Sequence, residues 1–424
     1  MDEVNEKILR PLFYTSSRFY IFLSVMLVII FFALYAWYVQ LTQGLAVTGL
    51  NDIGRGPPWG LYITNFIFFV GLAHGGIAIS AAVRLAGLKR YKPIARVAEL
   101  LTPICLIIAM LSIVLDEGRP DRLINVFIYY AERIGQSPLA WDITVIIIYF
   151  TFSTTYMLIT LRSDLALIME RPLRWRWLYK LLLVGYKRGE EEKVEKVAWW
   201  MAACIPGLLV LLSGGVIAWL LGLMVSRPGW YGAFMGPYFV TAAVISAIAA
   251  VIVVAAIIRR IFGWQEYIRD EIFKGLANFL SAGMFVYLYF MLAEQLTMRY
   301  PGPSLMPEFL VSQEIIQGRF ALAFWVMTLL LFFAPALTLF LQAAFKRFNL
   351  VLTVSSASLI LAGLWIKRYL IVVPPLLYSL LPYPIGSYIP TWVEWALIAG
   401  TFALAAILYT LFVKIIPIIE VRGE

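Results

Sequence analysis

Histidine, cysteine and charged residues are scarce in this sequence. The 424 residues include one histidine, His74, and two cysteines, Cys105 and Cys204, which lie far apart in apolar stretches. A transmembrane haem b usually takes two histidine ligands, and an iron–sulfur cluster is usually held by four cysteines. The sequence therefore predicts that this chain holds no haem and no iron–sulfur cluster. Charged residues make up only 14% of the chain, which is too few for the surface of a soluble protein of this length.

Long apolar runs dominate the sequence instead. Hydrophobic residues make up 62% of the chain, and the mean hydropathy is +0.86. A helix crosses the hydrocarbon layer with about 20 apolar residues. We predict an all-α integral membrane protein with about ten transmembrane helices, at residues 19–40, 60–86, 97–118, 139–162, 198–225, 235–259, 275–298, 319–345, 350–380 and 390–416. The ninth helix is predicted to stop near Val373, because Pro374 and Pro375 follow it.

Lysine and arginine are concentrated in alternate connecting segments. With the N-terminus inside, 25 of them fall on the inner side and 9 on the outer side, with Lys367 and Arg368 counted as outer. Cytoplasmic loops normally carry this excess. The pattern predicts a multi-pass protein of the plasma membrane with both termini in the cytoplasm. The net charge of +9 then reflects topology, and no nucleic-acid partner is expected.

The order of the predicted helices also indicates how they pack. Helices two to five and six to nine are predicted to form two four-helix bundles, flanked by helices one and ten. The bundles would occupy residues 60–225 and 226–380 within a single membrane domain that covers residues 1–424.

Ionisable residues in the second, third and fourth predicted helices point to a binding site between these helices. Such residues are costly inside a bilayer and are therefore candidates for function. His74 lies near the middle of helix two beside Gly75 and Gly76, small residues that allow a neighbouring helix or a flat ligand to approach. Asp116 and Arg119 mark the outer end of helix three. Asp142 lies about one turn inside the outer end of helix four.

These residue types suit the oxidation of a quinol. That reaction needs hydrogen-bond partners for two ring oxygens, a proton acceptor and a route to water. Histidine accepts a proton near neutral pH, and a carboxylate removed from water can do so as well. Structural roles are the alternative: a hydrogen bond between helices for His74, a salt network at the helix end for Asp116 and Arg119, and a favourable helix dipole for Asp142.

Three further carboxylates lie near the predicted membrane surfaces. Glu99 begins helix three on the inner side, and Asp164 follows helix four. Both are expected to be interfacial, with a role in proton entry as the alternative. Glu294, at the outer end of helix seven, is a candidate of the same kind.

Several short motifs together resemble the NrfD/PsrC family, the quinone-interacting membrane subunits of polysulfide reductase-like enzymes. The resemblance is strongest to the ten-helix members of alternative complex III. The motifs lie, in chain order, at residues 69–81, 96–99, 118–120, 137–142 with 149–150, 163–166, 367–374 and 388–394. Each motif is short, but their order and spacing cover nearly the whole chain.

The resemblance implies a menaquinone or ubiquinone site near the outer face of the first bundle. It assigns His74 and Asp142 to that site first, with Trp141 beside them, and then Asp116 and Arg119. Many relatives have a histidine where this sequence has Asp116. The resemblance also implies docking to an extracytoplasmic ferredoxin-like iron–sulfur subunit, which in many complexes serves a molybdopterin enzyme.

Proton translocation is a further property that the resemblance implies. It would make Glu99 and Asp164 part of an inner half-channel. Two other functional classes fit ten apolar helices with few buried charges. One is a secondary transporter, although no pair of broken helices at matching midplane positions is evident. The other is a passive anchor for a redox partner.

Overall fold

The chain is helical throughout the residues that can be described. A computed structural model describes residues 3–51, 56–169, 176–187, 189–210, 218–225, 227–230, 232, 234–300, 306–378 and 385–421. These ranges contain no β-strand. The predicted all-α fold is therefore confirmed.

Ten long helices account for most of the structure. Labelled in chain order, they are α1 (Ser17–Gln43), α2 (Leu61–Leu85), α3 (Lys92–Asp116), α4 (Pro138–Ile168), α5 (Glu191–Leu208), α6 (Met235–Phe262), α7 (Asp270–Arg299), α8 (Ala321–Ala344), α9 (Leu350–Leu377) and α10 (Trp392–Val413). The shorter helices are Glu3–Phe13, Gly44–Val47, Gly49–Asn51, Lys89–Tyr91, Pro120–Arg122, Ile124–Ile128, Tyr130–Arg133, Arg176–Leu182, Ala218–Gly222 and Pro307–Ile316.

Nine helices within the described ranges, all of the long ones except α5, are long and apolar enough to cross a membrane. They coincide with nine of the ten predicted spans. The remaining prediction, residues 198–225, includes residues 211–217, which lie outside the described residues. The protein is a multi-pass membrane protein.

The ninth helix is longer than the sequence indicates. We expected it to stop near Val373, but α9 continues through Pro374 and Pro375 to Leu377, so that prediction is wrong. A proline removes the hydrogen bond to the carbonyl four residues earlier. For Pro375 that carbonyl belongs to Ile371, and it accepts a hydrogen bond of 2.6 Å from the indole nitrogen of Trp230.

Replacing Trp230 with phenylalanine is expected to destabilise the protein by about 1–3 kcal/mol, because the Ile371 carbonyl would then be buried without a partner. Thermal denaturation in detergent would measure the change. Trp325→Phe is a matched control, since the Trp325 indole also donates to a backbone carbonyl but its side chain is 44% exposed. Equal melting temperatures for the two variants would show that the indole does not stabilise the proline-containing turn.

Contacts between the helices trace two closed rings. In the first, α2 contacts α3, α3 contacts α4, α4 contacts α5, and α5 returns to α2. In the second, α6, α7, α8 and α9 follow one another in the same way. Helix α2 also packs on α6 and α9, and α1 packs on α10. The division into bundles at residues 60–225 and 226–380 stays a prediction, because residue 226 and part of the fifth span lie outside the described residues.

Helix α2 lies at the centre of the protein because its small residues admit two neighbours. A Cβ atom added to Gly75 would lie 2.5 Å from the Cβ of Ala247 on α6. One added to Gly76 would lie 2.9 Å from the hydroxyl of Thr102 on α3. Both distances are too short for non-bonded atoms, so these glycines set the spacing of α2 from both helices. The segment around His74 is consequently held between α3 and α6.

A buried carboxylate fixes the segments that precede α2 and α10. Glu394 is fully buried, and it accepts hydrogen bonds from the backbone nitrogen of Gly49 at 2.8 Å and from that of Thr391 at 3.0 Å. The Tyr388 hydroxyl also donates to Glu394 and accepts from the backbone nitrogen of Leu61 at 2.9 Å. The start of α10 is thus bonded to Glu394 directly, and the first turn of α2 is linked to it through Tyr388.

Candidate functional site

His74 lies in the middle of α2, where it is 1% exposed. Its ring packs edge-on against Tyr149 of α4, with centroids 4.2 Å apart, and the Tyr149 hydroxyl donates to the His74 carbonyl at 3.2 Å. Neither ring nitrogen has a hydrogen-bond partner in the part of the chain that the structure describes. The Val70 carbonyl approaches the ring outside hydrogen-bond geometry. Buried polar groups are normally paired. The unpaired nitrogens of this imidazole therefore indicate that it binds a partner of another kind, such as a ligand or a water molecule.

Asp142 lies near the start of α4 and is 9% exposed. Its Oδ1 atom is buried and has no hydrogen-bond partner among the described residues. Seven residues separate Asp142 from Tyr149, so the two side chains lie on one face of α4 and about 10 Å apart along its axis. The neighbouring Trp141 donates its indole hydrogen to the Ile134 carbonyl. That bond fixes Trp141 against the preceding loop.

Asp116 is the last residue of α3 and belongs to a separate group at that helix end. Its Oδ1 atom is also buried without a partner among the described residues, and its closest charged neighbours include Glu394. Tyr62 of α2 lies nearby and donates to Gln40 at 2.7 Å. Tyr62 precedes His74 by twelve residues, or about 18 Å along the helix. The structure therefore does not bring Asp116 into contact with His74.

Arg119 lies outside both groups. Its guanidinium donates to the carboxylate of Asp121 at 3.0 and 2.9 Å, and the two side chains are 64% and 59% exposed. These hydrogen bonds lower the pKa of Asp121 and raise that of Arg119. An exposed ion pair of this kind orders a loop, and this contact corresponds to the structural alternative considered for Arg119.

Glu99 is buried in a polar group at the opposite end of α2, which we call the inner cluster: Ser80, Arg84, Glu99, Tyr156 and Thr160. Glu99 accepts hydrogen bonds from Ser80 at 2.5 Å and from Thr160 at 3.1 Å. The Tyr156 hydroxyl lies 3.3 Å from that of Ser80 and accepts from Arg84 at 3.1 Å. Glu99 was expected to be interfacial, but it is 4% exposed. Glu99 can be buried between helices because the hydroxyl groups of Ser80 and Thr160 donate hydrogen bonds to its carboxylate.

The inner cluster is connected to solvent through Arg84. This arginine pairs at 2.5 Å with Glu195 of α5, whose side chain is 68% exposed. Asp164, the second carboxylate expected at the membrane surface, is instead buried within α4 and forms an ion pair with Arg96. Both side chains of that pair are 4% exposed. The opposite charges of Arg96 and Asp164 compensate each other, which explains how Asp164 can be buried.

Glu294 also forms a buried ion pair, in the second ring of helices. The Lys367 ammonium group of α9 lies 2.5 Å from its carboxylate, with side chains 2% and 10% exposed. Lys367 and the adjacent Arg368 were counted as residues of an outer segment, and that count is wrong because both are buried inside α9. Their position inside a long apolar span was the signal that could have identified them as buried.

Tyr149 and Tyr156 are the other residues that the sequence did not single out for the site. Together with Asp142 they recur every seven residues on α4 and form a column along one helix face. The column passes from the unpartnered Asp142 oxygen, past the His74 ring, to the inner cluster. Polar residues at a spacing of seven within an apolar helix were the available signal.

The fold and this column of buried ionisable groups define a class of multi-pass membrane protein with polar sites between its helices. Within that class, the chain belongs to the family described as "Polysulphide reductase, NrfD", whose profile matches residues 47–378. The predicted family is confirmed. The matched residues include His74, Asp142 and the whole inner cluster.

Three relatives illustrate the range of the family. The "Menaquinone reductase, integral membrane subunit" of Nitratidesulfovibrio vulgaris is 27% identical over 418 residues, which cover 96% of this chain and 94% of that protein. A selenate reductase subunit of Mesobacillus selenatarsenatis is 24% identical over 409 residues, or 91% of each chain. A protein of Halobacterium salinarum, named as a "Putative dimethyl sulfoxide reductase membrane subunit", is 30% identical over 239 residues. That match covers 56% of this chain and about half of the relative, 51%.

Proposed function

We propose that this chain is the membrane subunit of a respiratory oxidoreductase complex and exchanges electrons between a membrane quinone and a partner subunit. The observation that carries the proposal is His74, a buried imidazole with both ring nitrogens unpartnered among the described residues. It lies within the residues that match the NrfD family. The menaquinone reductase subunit and the selenate reductase subunit match over nearly their full length and support the same function.

The quinone would supply or accept two electrons and two protons, and the residues of the site would bind it and move the protons. His74 would donate a hydrogen bond to one ring oxygen or accept its proton. Asp142, on the same face of α4 as Tyr149, would exchange protons with the outer surface. Tyr149 would hold the imidazole in place, because its ring packs against the imidazole and its hydroxyl donates to the His74 backbone carbonyl.

Asp116 and Arg119 have weaker support as parts of the quinone site. Asp116 has an unpartnered buried oxygen, among the described residues, which fits a second proton-exchanging group near the outer end of α3. Arg119 pairs with Asp121 in solvent, so its contribution would be to order the loop that follows α3. Trp141 would act in the same way through its bond to Ile134.

The inner cluster is a candidate route for protons between the quinone site and the inner surface. Hydrogen bonds run from Glu99 through Ser80, Tyr156 and Arg84 to the exposed Glu195. Asp164 would support this route by fixing Arg96 close to Glu99. We propose proton translocation along this path as a property separate from electron exchange.

The assignment also implies partners and a location. We propose that the chain lies in the plasma membrane with both termini in the cytoplasm. A ferredoxin-like iron–sulfur subunit would dock at the outer surface and connect the quinone site to a molybdopterin-type catalytic subunit. The relatives are named as subunits of reductases, which supports the existence of a catalytic partner.

Isolation of the chain from native membranes in mild detergent tests this proposal. We expect an iron–sulfur protein and quinone to be recovered with it, identified by mass spectrometry and by solvent extraction of the same sample. Recovery of the chain alone and free of quinone would contradict the proposal. In that case, substrate flux into proteoliposomes that contain only this chain would establish a secondary transporter instead.

A further inference from the structure

A second group of buried polar residues lies among α6, α7 and α9, in the second ring of helices. We call it the α9 cluster; its members are Tyr238, Tyr287, Glu294, Lys367 and Arg368. All of them are buried or nearly so, and the two tyrosines are 1% and 0% exposed. Electrostatic contacts join Arg368 to both tyrosines and to Glu294. The Lys367 ammonium group lies 5.5 Å from the centre of the Tyr238 ring.

The charges of the α9 cluster do not balance. Lys367 and Glu294 form one ion pair at 2.5 Å. Among the described residues, no carboxylate lies within ion-pair distance of Arg368, whose guanidinium stacks on Phe239 at 4.4 Å from the ring centre. Residues 211–217, the undescribed part of the fifth span, contain no aspartate or glutamate. Among the described residues, the cluster therefore carries a net positive charge, and an uncompensated charge inside a protein is costly.

The same cluster contains two hydroxyl groups that lack a well-formed hydrogen bond among the described residues. The hydroxyl groups of Tyr238 and Tyr287 are buried and close enough to interact with each other, but neither meets hydrogen-bond geometry with the other or with another described residue. Their rings pack with centroids 4.8 Å apart, so the two hydroxyls belong to one small region. Buried hydroxyls are normally paired with protein or with a bound molecule. Two such donors beside an unbalanced arginine favour a ligand that is both negative and an acceptor.

We propose that the α9 cluster binds a small monovalent anion of halide size, held by Arg368, Tyr238 and Tyr287. A halide would balance the excess charge and accept hydrogen bonds from both hydroxyls. The single excess charge favours a monovalent ligand, and the closeness of the two tyrosines favours one small enough to contact both hydroxyls. A water molecule would satisfy the hydroxyls but would leave the charge of Arg368 uncompensated.

The position of the cluster gives this anion an influence on the His74 site. A Cβ atom added to Gly71 would lie 3.8 Å from a guanidinium nitrogen of Arg368, and Gly71 precedes His74 by about one turn of α2. The bound anion would thus reduce the positive potential that Arg368 exerts on that part of α2. Binding of the anion itself does not depend on the function proposed for His74.

Thermal denaturation of the purified complex in chloride or gluconate, at constant ionic strength, tests the proposal. We expect the melting temperature to rise with chloride along a single-site saturation curve and to respond similarly to bromide. Arg368→Gln should abolish this dependence. Arg299→Gln is the matched control, because Arg299 also stacks on a phenylalanine, Phe309, at 5.7 Å but lies outside the cluster; it should retain the full chloride response.

A double variant, Tyr238→Phe with Tyr287→Phe, serves if Arg368→Gln does not fold. It removes only the two hydroxyls, and we expect it to raise the half-saturating chloride concentration at least tenfold. The proposal would be overturned by a melting temperature that ignores chloride, or by an unchanged chloride response in a folded Arg368→Gln or double variant. Neither outcome bears on quinone-linked turnover, so this test and that of the proposed function remain separate.

Discussion

Replacing His74 with alanine is expected to lower quinone-linked turnover by about 100-fold or more, the effect of removing a general base or acid. Electron transfer from the partner subunit to a soluble dye should be unchanged. The reason is the position of the imidazole, which is buried in α2 with both ring nitrogens unpartnered among the described residues. Turnover of the purified complex with a soluble quinone analogue and with a dye would measure both quantities.

The dye reaction separates this interpretation from the alternative of a passive anchor. If the chain only anchors its partner, His74→Ala should affect the quinone and dye reactions equally. Thr155→Ala provides a control on α4, because its hydroxyl bonds within the helix, to Thr151, and its side chain is exposed. Unchanged quinone turnover in both His74→Ala and Asp142→Asn would show that the site is assigned to the wrong residues.

Replacing Arg96 with glutamine is expected to destabilise the protein by about 3–5 kcal/mol, because it leaves the buried carboxylate of Asp164 without its counter-charge. The loss should exceed that of Asp164→Asn. Arg96 also interacts electrostatically with Glu420 and Glu99, so its removal affects three carboxylates, whereas in Asp164→Asn two of them remain near Arg96. Unfolding of the purified protein in mixed micelles with increasing dodecyl sulfate would measure the free energies.

The double variant Arg96→Gln with Asp164→Asn tests the cause of that loss. It removes both charges and should be more stable than Arg96→Gln alone, since residue 164 then no longer places an uncompensated charge inside the protein. Arg119→Gln with Asp121→Asn is the exposed counterpart, and it should leave the free energy of unfolding almost unchanged. Strictly additive effects of the two buried substitutions would indicate that Arg96 and Asp164 do not stabilise each other.

Much of the helical architecture could be predicted because apolar length alone decides where a chain crosses a bilayer. The bounds of α2, Leu61–Leu85, differ from the predicted 60–86 by one residue at each end. Helix α9 shows the limit of this reasoning. The carbonyl that Pro375 leaves without its helical partner accepts a hydrogen bond from Trp230, which lies 141 residues away in sequence from this acceptor. A local rule for proline cannot include such a partner.

Helix α8 shows a second limit. Its residues Val326–Phe333 form a π-helix within the span, although their sequence is almost uniformly apolar and contains no residue that marks such a turn. The wider turn places Phe332 against Gly363 of α9, where an added Cβ would lie 2.5 Å from the phenylalanine ring. The π-helix is thus coupled to packing between two helices, which hydrophobic periodicity does not describe.

The candidate site could be predicted in part, since the cost of burying polar groups identifies residues but not their partners. That cost drew attention to His74 and Asp142, which are buried and have unpartnered polar atoms among the described residues. It did not distinguish them from Asp164, which is buried with Arg96, or from Arg119, which is exposed with Asp121. The distinction depends on which helices are neighbours, and the order of helices in the sequence leaves that open.

The contacts of Glu394 have a consequence for synthesis of the protein. The backbone of Gly49, between α1 and α2, is held by a carboxylate that the ribosome adds 345 residues later. The first turn of α2 likewise receives its Tyr388 contact only after a further 327 residues have been added. A nascent chain that ends before α10 would already contain His74, Asp142 and the inner cluster. The segments that precede α2 would still lack their contacts with Tyr388 and Glu394, so this part of the fold cannot be completed until the start of α10 has been synthesised.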